Sequence, residues 1–144
     1  MRVELRQQPY DPWAELSAHE RAHAVPGRSG AAAVFTGSMR DRNEGVTVTG
    51  MFLEHYPEMT ERHLRGLAQE AMSRWQLDDL LLLHRVGEVL PGQTIVLVAV
   101  WSAHRAAAFE ACRFLLEDLK HKTPFWKRET LEDGERWVEY NTPG

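Results

Sequence analysis

The sequence has one cysteine, no long apolar run and no excess of positive charge, and each shortage excludes a class of protein. Cys112 alone cannot form an internal disulfide or a multi-cysteine metal site. The longest strongly apolar run, residues 95–101, is far shorter than the ~20 residues of a membrane-spanning helix. The 17 Lys and Arg against 21 Asp and Glu give a net charge of −4, so no overall positive field attracts nucleic acid or an anionic membrane.

The first six residues carry charges at positions 2, 4 and 6, which interrupt any secretory signal. We therefore expect a cytoplasmic protein without nucleic-acid or membrane partners. Hydrophobic residues make up 43% of the chain and charged residues 26%, which is typical of an ordinary globular protein. Neither a repeat nor a linker divides the 144 residues, so we expect a single domain over 1–144.

Apolar periodicity alternates between two and 3.6 residues, which predicts an α+β fold with an antiparallel sheet packed by about three helices. The last helix is expected from about Ala103 to His121, with Ser102 as its N-cap. A loop is expected over 37–45, and Leu90-Pro91-Gly92 predicts a hairpin turn between two strands. The predicted strands cover residues 3–5, 31–36, 46–55, 80–89, 93–101, 126–130 and 136–140. The other predicted helices cover about 11–23 and 60–75. The expected buried stripe of the last helix is Phe109, Cys112, Leu116 and Leu119.

Residues 19–23 read HERAH and match the H-E-x-x-H pattern of zinc hydrolases. The helix ends at Pro26-Gly27, and Ser29 stands where a third histidine ligand would follow. A partly solvated surface helix is therefore the preferred interpretation, and zinc hydrolysis through His19 and His23 stays a minor alternative. Cys112 falls on an apolar stripe, which favours core packing over a nucleophilic role.

Basic residues of the second half are the stronger candidates for a site. His104 and Arg105 open a helix, where free backbone N–H groups attract anions. Lys127 is flanked by aromatic residues, which predicts partial desolvation and a lowered pKa. Lys120 ends a helix, where a cation interacts well with the dipole and need do nothing else. This pattern leaves a phosphate or carboxylate site and plain surface charge both open. His55 and His84, at predicted strand ends, are interpreted as structural.

Several blocks, in order along the chain, resemble the catalytic (large) subunit of molybdopterin synthase. They read FTGSMR at 35–40, LEHYP at 53–57, RW at 74–75, HRVG at 84–87, SAHR at 102–105, LK at 119–120, PFWKRE at 124–129 and RWVE at 136–139. Any single block is weak, but the ordered succession from about residue 30 to 139 is specific.

The resemblance implies an α/β-hammerhead-like fold and a homodimer of large subunits within a heterotetramer. It also implies a small ubiquitin-like partner whose Gly-Gly tail carries a C-terminal thiocarboxylate. The sulfur converts cyclic pyranopterin monophosphate, or precursor Z, into the dithiolene of molybdopterin, with no bound cofactor or metal. A chain without a plausible sulfur-carrying cysteine agrees with a donor brought by a partner.

The same resemblance implies site residues. Lys120 would lie against the thiocarboxylated glycine, and Lys127 would act as general acid or base. His104 and Arg105 would hold the substrate, together with Arg40 from the neighbouring subunit. Second-rank residues that shape the pocket are Ser38, Met39, Arg128 and Glu129. The alternative to a sulfurtransferase is a non-catalytic module that binds a phosphorylated ligand or a ubiquitin-like tail.

Overall fold

The computed structural model describes residues 1–138, which form nine strands and three helices. No helix within that range is long and apolar enough to cross a membrane. The helices are α1 (Pro12–His23), α2 (Pro57–Arg74) and α3 (Arg105–His121). The strands are β1 (Arg2–Arg6), β2 (Ala31–Ser38), β3 (Arg42–Asn43), β4 (Val46–His55), β5 (Asp79–Arg85), β6 (Gly87–Val89), β7 (Thr94–Ser102), β8 (Phe125–Leu131) and β9 (Gly134–Trp137).

The first sheet has four strands in the order β1-β5-β7-β2 and lies between helices. Helices α2 and α3 cover one face, and α1 packs on the other. Both faces of β5 are therefore buried, which explains its continuous leucine run at 80–83. Leu80 and Leu82 join the core beneath α2 and α3, whereas Leu81 and Leu83 pack towards α1. The pair β1–β5 is parallel, and the other two pairs are antiparallel.

The second sheet joins β3, β4, β8 and β9 in that order, and β6 also pairs with β4. Its core contains Met39, Val48, Met51, Leu53 and Val89. The α+β prediction is confirmed, but the strands form two sheets instead of one. The predicted C-terminal hairpin is present as β8 and β9, while positions 139 and 140 lie outside the described residues.

The predicted strand over 80–89 is wrong in one respect, because it divides between two sheets. β5 pairs with β7 as expected, but β6 pairs with β4. Gly87, with φ +80°, takes the left-handed conformation that redirects the chain, and glycine adopts it without a steric penalty. The predicted loop over 37–45 likewise contains the end of β2 and all of β3.

Two helix details also differ from the prediction. Helix α2 begins earlier, at Pro57, because proline fits the first position of a helix. Helix α3 begins at Arg105 with His104 as N-cap, and the Ser102 hydroxyl instead donates to the His104 carbonyl at 2.6 Å.

The predicted buried stripe of α3 is shifted. Phe109 is 66% exposed, and Leu116 is only partly buried. Cys112 and Leu119 are buried as predicted. They are joined by Ala108, Ala111 and Leu115, at three- and four-residue steps that face the sheet. Phe109 follows Ala108 by one residue, about 100° around the helix, and so points away from the core.

Candidate functional site

A cavity of about 290 Å³ opens where β2, β5, the end of α3 and the start of β8 meet. Lys120 and Lys127 lie on its wall with Ser38 and His84, and we call it the lysine cavity. The remaining lining is largely apolar: Phe35, Ile95, Val96, Leu116, Leu119, Phe125, Trp126 and Val138. Two cationic side chains in a largely apolar cavity favour an anionic ligand, because solvent screens their charges poorly there.

Lys127 extends from β8, opposite Leu53 of β4, into this cavity. Burial and the nearby charge of Lys120 lower its pKa to about 8, although Glu129 acts in the opposite direction. Roughly a tenth of such lysines are neutral at pH 7, against about one in a few thousand for an ordinary lysine. This agrees with the desolvation predicted from the flanking aromatic residues. Lys127 can therefore exchange a proton near neutral pH.

Lys120 is partly buried in the last turn of α3 and lines the same cavity. The carbonyl end of a helix favours a cation there. Its charge lowers the pKa of Lys127, which places the two ammonium groups within electrostatic reach of each other. The structure therefore brings together the two lysines that sequence reasoning singled out.

Among the other predicted substrate-binding residues, Ser38 lines this cavity. His104, Arg105, Arg40 and Met39 do not lie beside the two lysines in one chain. His104 and Arg105 are exposed at the opposite end of α3. Fifteen residues of helix separate Arg105 from Lys120, which is about 22 Å along the axis. Arg40 is exposed just beyond β2, and Met39 is buried in the core of the second sheet instead of the cavity wall.

Arg128 and Glu129 support the strand that carries Lys127. The guanidinium of Arg128 lies over the Phe52 ring, 5.2 Å from its centroid, and near Trp137. Glu129 is buried and accepts hydrogen bonds from Arg136 at 2.9 Å and Asn43 at 3.1 and 3.2 Å. Both side chains already have protein partners, and neither lines the cavity.

His84 is the lining residue that sequence reasoning set aside as structural. It is 6% exposed, and its ring stacks on Phe125 with centroids 4.1 Å apart. The expected hydrogen bond exists, because Nδ1 lies 2.7 Å from the Arg85 carbonyl oxygen. The signal for its position was its place near the end of a buried strand, but only the packing of α3 and β8 puts that strand end beside the lysines.

A second cavity, of about 440 Å³, lies beside the H-E-x-x-H segment. His19 is 3% exposed, and its Nε2 is 2.7 Å from an Asp79 carboxylate oxygen. The other Asp79 oxygen pairs with the N-terminal ammonium at 3.0 Å. Within residues 1–138 no group of three or more His, Cys, Asp or Glu residues could hold a metal ion. These contacts give His19 a structural role and leave zinc hydrolysis without support.

Cys112 is buried in the core, as predicted, and burial raises its thiol pKa to about 11. The thiolate is the nucleophilic form, so this side chain is inert near neutral pH.

Comparison with known proteins places this arrangement in a family. The family model described as MoaE protein matches residues 6–122. The chain belongs to the MoaE protein family. It is 49% identical over 139 residues to the molybdopterin synthase catalytic subunit of Pseudomonas aeruginosa, covering 96% of this chain and 91% of that protein.

Solved MoaE-family structures have the same fold. The chain matches the crystal structure of molybdopterin synthase from Staphylococcus aureus with TM-score 0.83 and 30% identity, covering 96% and 97% of the two chains. It matches the molybdopterin biosynthesis MoaE protein from Burkholderia ambifaria with TM-score 0.77 and 41% identity, covering 99% and 90%.

Proposed function

We propose that this chain is the catalytic subunit of a molybdopterin synthase. In two transfers it takes one sulfur atom from each of two thiocarboxylated C-termini of a small ubiquitin-like subunit and adds it to cyclic pyranopterin monophosphate, giving the dithiolene of molybdopterin. Each donor tail is left as a carboxylate. The observation that carries this proposal is the pair of partly buried lysines, Lys120 and Lys127, in one largely apolar cavity, with the pKa of Lys127 lowered to about 8. A module that only binds an anion has no need of a lysine able to release its proton near neutral pH.

Lys120 and Lys127 have separate roles in this proposal. Lys120 faces the tail and balances the negative charge that develops as sulfur leaves the thiocarboxylate. Lys127 exchanges protons during opening of the cyclic phosphate and addition of sulfur. The thiocarboxylate supplies the sulfur and the lysines supply charge and proton transfer, so the chemistry requires no cofactor bound by this chain. The lone, unreactive Cys112 suits a donor from outside and a reducing, cytoplasmic compartment.

A second copy of the chain completes the proposed site. β2 lies at the edge of its sheet, and Phe109 is exposed on the neighbouring helix α3. Antiparallel pairing of β2 with β2 of another copy would place the Ala31 end of one strand beside the Ser38 end of the other. Ala31 is in register with Ser102, next to His104 and Arg105, whereas Ser38 lines the lysine cavity. The strand spans about 23 Å, which matches the separation of about 22 Å between Arg105 and Lys120 along α3.

This chain offers a suitable docking surface for the small subunit beside the cavity. Tyr56 and Trp126 are exposed and meet edge to face at 4.9 Å, with Trp137 exposed close by. Trp126 also lines the lysine cavity. An exposed aromatic patch at a cavity entrance is typical of an interface. We infer that the body of the small subunit covers this patch while its glycine tail enters the cavity.

Turnover tests the proposal directly. Purified protein, thiocarboxylated small subunit and cyclic pyranopterin monophosphate should give dithiolene product, and both K120A and K127A should lose it. If the wild type binds the tail and the substrate yet forms no product, the non-catalytic binding module replaces the sulfurtransferase.

Mixing two inactive variants tests the shared site. K127A and R105A should each be inactive alone, but subunit exchange between them should restore about a quarter of wild-type activity. In a mixed dimer one site then holds both defects and the other holds neither. No restoration after proven exchange would place Arg105 and Lys127 of the same site in one chain, or Arg105 outside it.

A further inference from the structure

His84 gives the lysine cavity a chemical group that the lysines lack. It lies near the end of β5, with its ring fixed against Phe125 and its Nδ1 held by the Arg85 carbonyl. A carbonyl oxygen can only accept a hydrogen bond, so Nδ1 carries the proton. In the neutral ring the lone pair is then on Nε2, at the opposite edge.

The ring is neutral near pH 7. Burial lowers the pKa of His84 to about 4, against the raising effect of the Arg85 carbonyl, and the charges of Lys127, Lys120 and His55 lower it further. A neutral imidazole adds no third positive charge to the cavity and leaves Nε2 as a fixed acceptor.

Nε2 has no hydrogen-bond partner among residues 1–138, and it is not sealed inside the core. His84 lines the cavity together with Lys120 and Lys127, whose charged ammonium groups donate hydrogen bonds and cannot accept them. A reactant bound there can place its anionic groups against the lysines. Its N–H groups then need an acceptor, because a buried N–H without one costs binding free energy.

We propose that Nε2 of His84 accepts a hydrogen bond from an N–H group of a reactant in this cavity. The proposal rests on the proposed function for the nature of the reactants. Two of them carry such a donor: the backbone amide of the tail's terminal glycine and the pterin ring. His84 is thus a binding residue that orients its reactant while Lys120 and Lys127 carry out the chemistry.

Two substitutions distinguish loss of the hydrogen-bond acceptor from a change in side-chain shape. H84N keeps an N–H near the position of Nδ1 and removes the acceptor, whereas H84Q can place an amide oxygen near the position of Nε2. We would measure Kd for a peptide ending in Gly-Gly and, separately, for cyclic pyranopterin monophosphate. H84N should weaken one of the two by about tenfold and leave the other unchanged, and H84Q should recover most of the loss. The affected ligand identifies the donor.

Equal Kd values for H84N and wild type with both ligands would overturn the proposal. So would a loss that is equal for both ligands and the same in H84Q, since that pattern reports general damage to the cavity. A measurement without substitution guards against misfolded variants. The 15N resonance of His84 Nε2 should shift on saturation with the ligand that carries the donor. A resonance that is unchanged with each of the two ligands contradicts the assignment.

The outcome is distinguishable from failure of the proposed function. If the wild type binds the peptide but makes no product, the sulfurtransferase proposal fails. A higher peptide Kd in H84N would still support His84 as a hydrogen-bond acceptor. If wild-type turnover is normal and H84N has unaffected KM values, the acceptor proposal alone fails. A wild type that binds neither ligand removes both.

Discussion

Two cavities of this molecule are lined by ionisable side chains, and they differ in how the charges are balanced. Beside His19, Asp79 contacts both the histidine and the N-terminal ammonium, and Ser29 donates to Asp78 at 2.6 Å. In the cavity lined by Lys120 and Lys127, the carboxylate of Glu129 raises the pKa of Lys127. Glu129 is itself hydrogen-bonded to Asn43 and Arg136. The first cavity is larger, but its charges are neutralised within the fold.

Under the proposed function, neither the larger cavity nor the H-E-x-x-H motif identifies the site. Neutralised charges fix a structure, whereas the desolvated amine of Lys127 has a pKa lowered to about 8, which suits proton transfer. The following predictions test this difference, from the largest expected effect to the smallest.

The largest effect is expected from K127M, which keeps most of the side-chain volume and removes the titratable amine. Loss of a positioned acid–base group should lower kcat by about 10²–10⁴-fold. The matched control is H23Q in the other cavity, which should turn over at the wild-type rate. Comparable losses in both variants, measured under saturating substrate, would contradict the distinction between the cavities.

The next effect concerns stability in acid. The pKa of folded His84 is about 4, below the 6.5 of an exposed histidine, so the unfolded chain binds the proton first. The contribution is fully present above pH 6.5 and is lost as pH falls towards 4, by up to about 3 kcal/mol. Urea unfolding of wild type and H84Q at pH 7 and pH 4.5 should show a smaller acid loss in the variant. Parallel losses would refute the assignment.

A smaller effect is expected from D79N beside His19. The substitution removes the charge that holds both the His19 ring and the N-terminal ammonium, and should lower the free energy of unfolding by about 1–3 kcal/mol. Turnover at 25 °C should stay unchanged, because the proposed reaction takes place in the cavity of Lys120 and Lys127. A fall in kcat at full folding would give the His19 cavity a role that we do not assign to it.

The smallest effect is a shift in titration. Removing the charge of Lys120 in K120M should raise the pKa of Lys127 above about 8, towards the ordinary lysine value. The substitution E129Q should move it the other way, since the charge of Glu129 raises this pKa. NMR titration of the Lys127 side chain measures both. A pKa that is the same in all three proteins would leave burial as its sole cause.

Local sequence patterns predicted most of the elements, and the exceptions have physical reasons. Periodicity identifies which residues are apolar, but Phe109 shows that it does not identify the face that a neighbouring sheet covers. The division at Gly87 depends on which sheet offers a partner to residues 87–89, and that choice is made by strands distant in sequence.

The sequence by itself determined the α+β class, the single cysteine and, through the resemblance, the two lysines of the proposed site. These depend on composition, short-range periodicity and ordered motifs. Only the tertiary structure decided that His84 shares the lysine cavity, that Nε2 of His19 pairs with Asp79, and that His104 and Arg105 lie a helix length from Lys120. Burial, hydrogen bonding and pKa depend on residues brought together from distant parts of the chain, which no local pattern contains.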